Sequence, residues 1–116
     1  MRFLIILAAA ALLASPASAQ WRNMMVDGLQ PADVEAMGVA GAALEGKEIG
    51  HEEAWTSPDT GNSGTVRLLK EDVYQDMPCQ HRGHTVNIAR TQRSTKLVFR
   101  VCKTPDGRWL DAPPQQ

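Results

Sequence analysis

Cysteine is scarce in this chain, with two residues in 116. Once those two are joined, none is left over as a nucleophile or a metal ligand. No apolar run reaches the about 20 residues that a membrane-spanning helix needs. No glycine-rich phosphate loop opens a helix, because Gly61-Asn62-Ser63-Gly64 falls between strand-like segments. Ser63 and Ser94 sit in no nucleophile motif, and the neighbouring Glu52 and Glu53 diverge on a strand rather than converge. Histidine is limited to His51, His81 and His84. His81 and His84 are three apart, so on a strand they point to opposite faces and read as separate side chains, not a ligand pair. The sequence therefore gives no catalytic residue, no metal site and no cofactor, and the chain reads as a non-enzyme.

What is present begins with a leader. Arg2 supplies a positive start, residues 3–13 are unbroken apolar, and Ala17-Ser18-Ala19 offers small residues where a signal peptidase reads. Residues 1–19 are expected to be a signal peptide cut after Ala19, with no lipid-acceptor cysteine at the cut. The product is expected in the periplasm or secreted, with outer-membrane association open. Nucleic acid is then not an expected partner. Roughly 97 residues remain, a size that buries only part of its surface and gains from a staple. Cys79 and Cys102 both lie in the exported part, and an even count there reads as a disulfide. It would close a loop of about 24 residues, worth roughly 3.5 kcal/mol by chain entropy.

Residues 20–30 read as a loose arm containing Trp21, Met24 and Met25. Residues 31–45 read as a helix: Pro31 suits its first position, Asp33 and Glu35 suit the dipole, and Gly46 stops it. Val34, Met37, Gly41 and Leu44 share one face. Gly38, Ala42 and Gly46 recur every fourth residue, which lets a helix lie flat on a sheet or pair closely with another helix. The rest reads as strands over 51–57, 63–74, 79–88 and 97–103 and a last short one from Arg108, with a bulge at Leu68-Leu69. Met77-Pro78 punctuates, residues 89–96 form a polar hairpin loop, and Thr104-Pro105-Asp106-Gly107 is a tight turn. Strands three and four are consecutive, so antiparallel pairing brings Cys79 near Cys102. The expected fold is α+β: one N-terminal helix on a small antiparallel meander of four to five strands with one disulfide. It forms a single domain over 31–112, with a frayed tail at 113–116.

Net charge is −1, but the signs are segregated. Acidic residues dominate 27–59. Basic ones dominate 82–108, as Arg82, Arg90, Arg93, Lys96, Arg100, Lys103 and Arg108. Two readings stand: these seven form a patch for an anionic partner, or the two halves face and neutralise each other. Trp55 and Trp109 read as structural aromatics of the core, with a ligand groove as the alternative.

Ala43-Leu44-Glu45, Trp55-x-x-Pro58-Asp59-Thr60-Gly61-Asn62-Ser63-Gly64-Thr65-Val66, Cys79 and Cys102-Lys103-x-Pro105-Asp106-Gly107-x-Trp109 occur in that order. Together they resemble the C-terminal domain of the rickettsial seventeen-kilodalton surface-antigen family, over residues 43–109. The resemblance implies a non-enzymatic cell-envelope protein. Many members are lipoproteins with a glycine zipper. This chain has neither the acceptor cysteine nor the full zipper, and Gln80-His81-Arg82 replaces the usual basic and aromatic pair. The implied partner is an envelope component, either a protein or an anionic lipid or glycan, with peripheral membrane association open. The other reading is a periplasmic inhibitor or ligand-binding module acting through residues 56–64 or through the basic half.

Overall fold

A computed structural model describes residues 26–113 of the chain. The expected leader, the first part of the arm and the last three residues lie outside the described residues. A helix, α1 (Pro31–Ala42), precedes five strands: β1 (Glu52–Thr56), β2 (Ser63–Tyr74), β3 (Met77–Ile88), β4 (Arg93–Lys103) and β5 (Trp109–Ala112). The strands form one antiparallel sheet in the order β1-β2-β3-β4-β5, a simple meander. Each strand therefore pairs with the next in sequence, as short loops require.

Pro31 opens α1, and Asp33 caps it by accepting the Gln30 N–H at 2.8 Å. The helix ends at Ala42, three residues earlier than the sequence suggests. After Ala43 the bonding tightens to i→i−3, with Leu44 N–H to Gly41 O at 3.0 Å and Glu45 N–H to Ala42 O at 3.2 Å. Gly46, at φ +81°, then turns the chain out. The buried face is Asp33, Met37, Ala40 and Gly41, with Leu44 just beyond. Val34 is only half-buried, so Asp33 takes the place expected for it. Gly38, Ala42 and Gly46 are exposed and bring the helix against no described residue; Ala40 and Gly41 make the close approach.

Met37, Ala40 and Leu44 pack with Trp55, Val66, Leu68, Val86 and Ile88 as the core. Trp55 lies opposite Gly64 in register, where a Cβ would come within 2.8 Å of the indole. Only glycine lets that ring lie flat on the sheet. Val26 and Leu29 pack on the same core, and Gly28 sits over Ile88. The arm is thus docked from residue 26 onward, because its apolar side chains meet the end of β3.

Alternation along β3 separates two faces. Arg82, His84, Val86 and Ile88 look toward the helix; His81, Gly83 and Thr85 look away. The register skips Leu69 between Leu68 and Lys70, the expected bulge, and Leu69 then covers Gly83 on the far face. Two boundaries move. The β2–β3 turn is made by Gln75 and Asp76, both at positive φ, so Met77 and Pro78 belong to β3. Arg93 to Lys96 belong to β4, because an exposed hairpin end needs no apolar residues to pair. Cys79 and Cys102 stand directly opposite on β3 and β4 and are bonded, S–S 2.03 Å.

Candidate functional site

Three polar clusters and one groove contain the chemistry. The first locks the helix to the turn after β1. Asp33 is fully buried; its carboxylate accepts from the Thr60 hydroxyl at 2.6 Å and from Asn62 Nδ2 at 2.8 Å. Asn62 Nδ2 also donates to Gly28 O at 3.1 Å, and its Oδ1 accepts the Ala89 N–H at 2.9 Å. Burial alone pushes the Asp33 carboxyl up. The donors Thr60, Gln30 and Asn62 outweigh that and hold it below 3.8. This cluster explains the run Thr60-Gly61-Asn62: its side chains hold the turn rigid. The signal available in the sequence was the Gln30 to Asp33 spacing of a capping pair, which does not reveal contacts 27 and 29 residues away.

The second cluster lies on the far face beside the disulfide. Arg100 is buried and donates to Asp72 through Nε at 3.3 Å and Nη2 at 3.0 Å, and to Pro113 O through Nη1 at 3.0 Å. Its guanidinium lies 5.1 Å over the Tyr74 ring. His81 Nε2 is 3.0 Å from the same carboxylate. Burial raises the Asp72 pKa, but His81 and Arg100 more than offset it, so the carboxylate stays ionised to below 3.8.

The third cluster is on the helix face. Arg82 is buried, its Nε donates to Gln80 Oε1 at 2.9 Å, and its guanidinium stacks 4.8 Å from the Trp109 ring. Nη1 presses against Gly41, and Nη2 has no hydrogen-bond partner among the described residues. Burial brings the Arg82 pKa down to about 10 against the pull of Asp111 and Glu45. His84 is buried beside it, edge-on to Phe99 at 5.4 Å, and burial with the nearby Arg82 lowers its pKa to about 4. Burial also raises the Asp111 carboxyl, with Arg82 opposing.

The seven basic residues singled out in the sequence are not gathered on one surface. Arg82 and Arg100 are buried on opposite faces. Lys103 pairs with Glu45 at 2.6 Å, Arg90 with Asp27 at 3.6 Å and Arg108 with Asp106 at 2.9 Å. Arg93 and Lys96 stand at the β3–β4 hairpin. The Lys103 and Arg90 pairs join the basic half to the acidic half. Trp55 is in the core. Trp109 is half-buried and outside it, because β5 lies beyond the strands that α1 covers. Among the described residues no three His, Cys, Asp or Glu side chains are placed to hold a metal ion.

The groove lies between α1 and the outer edge of β1. It encloses about 510 Å³, with Ala36, Val39, Trp55 and Pro58 among its walls.

The chain is 34% identical over 68 residues to the 17 kDa surface antigen of Rickettsia bellii strain RML369-C. It matches the same-named protein recorded simply for Rickettsia bellii equally well. The match covers 58% of this chain and 42% of each relative, so the chain spans less than half the length of the proteins it resembles. No family model matches, and no solved structure does. No helix among the described residues is long and apolar enough to cross a membrane.

Proposed function

We propose that this chain is a non-catalytic protein of the bacterial cell envelope that works by binding another envelope component, either a protein or an anionic lipid or glycan. The similarity to surface antigens over 68 residues is the observation that carries the reading. Two of the polar clusters support it from the side of chemistry. Asp33, Asp72 and Arg100 are tied to partners inside the fold, which is how groups that hold a shape are used. The expected leader supplies the route to the envelope.

The test is fractionation of cells producing the full chain with a C-terminal tag. The protein is expected in periplasmic or outer-membrane fractions, with an intact mass lacking residues 1–19. Recovery in the cytoplasm with Met1 still in place would refute the proposal. The inhibitor reading is favoured by one feature, the rigidity of the turn after β1. Gly61 N–H bonds to Ser57 O at 2.8 Å and Ser57 N–H to Asn62 O at 2.9 Å, so Pro58 and Asp59 are presented in one fixed geometry.

A further inference from the structure

Helix α1 has two apolar stripes; the fold buries one, and of the other only Ala36 packs in part against the core. The buried stripe includes Met37, Ala40 and Leu44. One position behind it, Ala32, Ala36, Val39 and Ala43 recur at spacings of four, three and four, so they share a neighbouring face. This second stripe forms one wall of the groove beside β1, and Val39 remains 70% exposed there. The other wall is β1 itself, which is hydrogen-bonded to β2 alone among the described residues. The outer N–H and C=O groups of an edge strand are a template for one more strand. The helix overhangs the place where that strand would lie.

The charge around the groove selects its occupant. Glu35, Glu53 and Asp59 line it, with Glu53 paired to His51 Nε2 at 2.5 Å, and among the described residues no basic side chain lines it. We propose that the groove accepts an extended peptide as a sixth strand on β1, with apolar side chains of its helix-facing set under Ala36 and Val39 and basic side chains of that same set against Glu35 and Asp59. Backbone pairing would supply affinity, and the alternating side chains would supply selection. A second copy of this chain suits the groove less well, because pairing β1 with β1 gathers Glu52, Glu53 and Asp59 from both copies in one interface. The inference deepens the binding role proposed above by naming a partner class. Its test uses purified components, so it can fail while the envelope assignment stands, and the reverse.

The probe is a labelled ten-residue valine–lysine peptide, with valine at the centre and lysine at the ends of one face and threonine along the other, titrated with the purified protein at low salt and followed by fluorescence polarisation. Saturable binding is expected. The double variant Glu35→Lys/Asp59→Lys, which changes two exposed side chains, should weaken it about tenfold. A valine–glutamate peptide should not bind. Neither should the valine–lysine peptide N-methylated at its two central residues, which removes one amide from each edge. No binding of the first peptide, equal binding of the glutamate peptide, or unchanged binding after methylation each overturns the proposal. So does competition from the chain's own residues 20–25, shown by binding that appears only after their deletion, or a dimer in sedimentation that Ala54→Lys dissolves.

Discussion

The two faces of the sheet each bury an arginine near the disulfide, and they satisfy it in different ways. On the far face Arg100 has every guanidinium nitrogen bonded, two of them to Asp72. On the helix face Arg82 has, among the described residues, one hydrogen bond, a tryptophan ring and a glycine, with Asp111 and Glu45 acting at longer range. The first arrangement is an ion pair removed from water. Its partners depend on each other, because either one alone is an uncompensated charge. The second is a long side chain used mainly as packing, with its charge kept at the cost of desolvation. The same residue type therefore has opposite consequences when its surroundings are changed.

The largest expected effect separates the two faces directly. Asp72→Ala should lower the urea-unfolding free energy by about 3 kcal/mol, because the Arg100 side chain is only 7% exposed and loses its counter-charge. Arg82→Met should stay within about 1 kcal/mol of the parent, since no close carboxylate is stranded and a flexible apolar side chain fills the space. Both are read from denaturant curves with the disulfide intact. If Arg82→Met costs as much as Asp72→Ala, the distinction between paired and packed arginines is wrong.

Acid should then take the faces apart in sequence. His84 is held near a pKa of about 4 when folded, below its ordinary 6.5. The unfolded chain therefore takes up the proton first, and stability should fall as pH drops from about 6.5 to about 4. At about 1.4 kcal/mol per pKa unit, the full loss is on the order of 3 kcal/mol. Asp72 behaves differently: its folded pKa lies below 3.8, so its contribution is complete above that value and disappears only at lower pH. His84→Leu should flatten the upper window and leave the lower one. Asp72→Asn should do the opposite. Melting temperatures measured from pH 7 to pH 3 report both, and a single common window would sink the assignment.

These faces were unevenly legible in the sequence. Strand order, the bulge at Leu69 and the Cys79–Cys102 bond follow from local rules of alternation, turn chemistry and hairpin pairing, and the structure shows all three. The buried charges do not follow from such rules. Asp72 and Arg100 are 28 residues apart and meet because a bulge shifts the far end of β2 by one position, which no local pattern encodes. Counting Arg82 and Arg100 with the exposed cations treated a run of basic residues as a surface. Alternation on a strand instead sends every second one to each face, and both faces bury charge here. The groove was hidden for a related reason. The stripe Ala32-Ala36-Val39-Ala43 has a sound helical period, but only the sheet's position shows that it is the neighbouring stripe that is buried.

The smallest effect tests whether Arg82 really is packing. Alanine at position 41 gains up to about 1 kcal/mol over glycine in a helix. Here its Cβ would clash with Arg82 Nη1 and come 2.9 Å from Cζ, so the guanidinium must move. Gly41→Ala should therefore be neutral to mildly destabilising in the parent chain, the gain in propensity being offset by the displaced arginine. With Arg82→Met in place the obstacle is a flexible thioether, and the same change should become stabilising. The difference between the two backgrounds, about 1 kcal/mol in a double-mutant cycle, measures the contact itself. Should Gly41→Ala stabilise both backgrounds equally, Arg82 does not rest on the helix. The helix face would then hold its arginine as loosely as a surface side chain, and the contrast with Arg100 would be one of exposure, not of pairing.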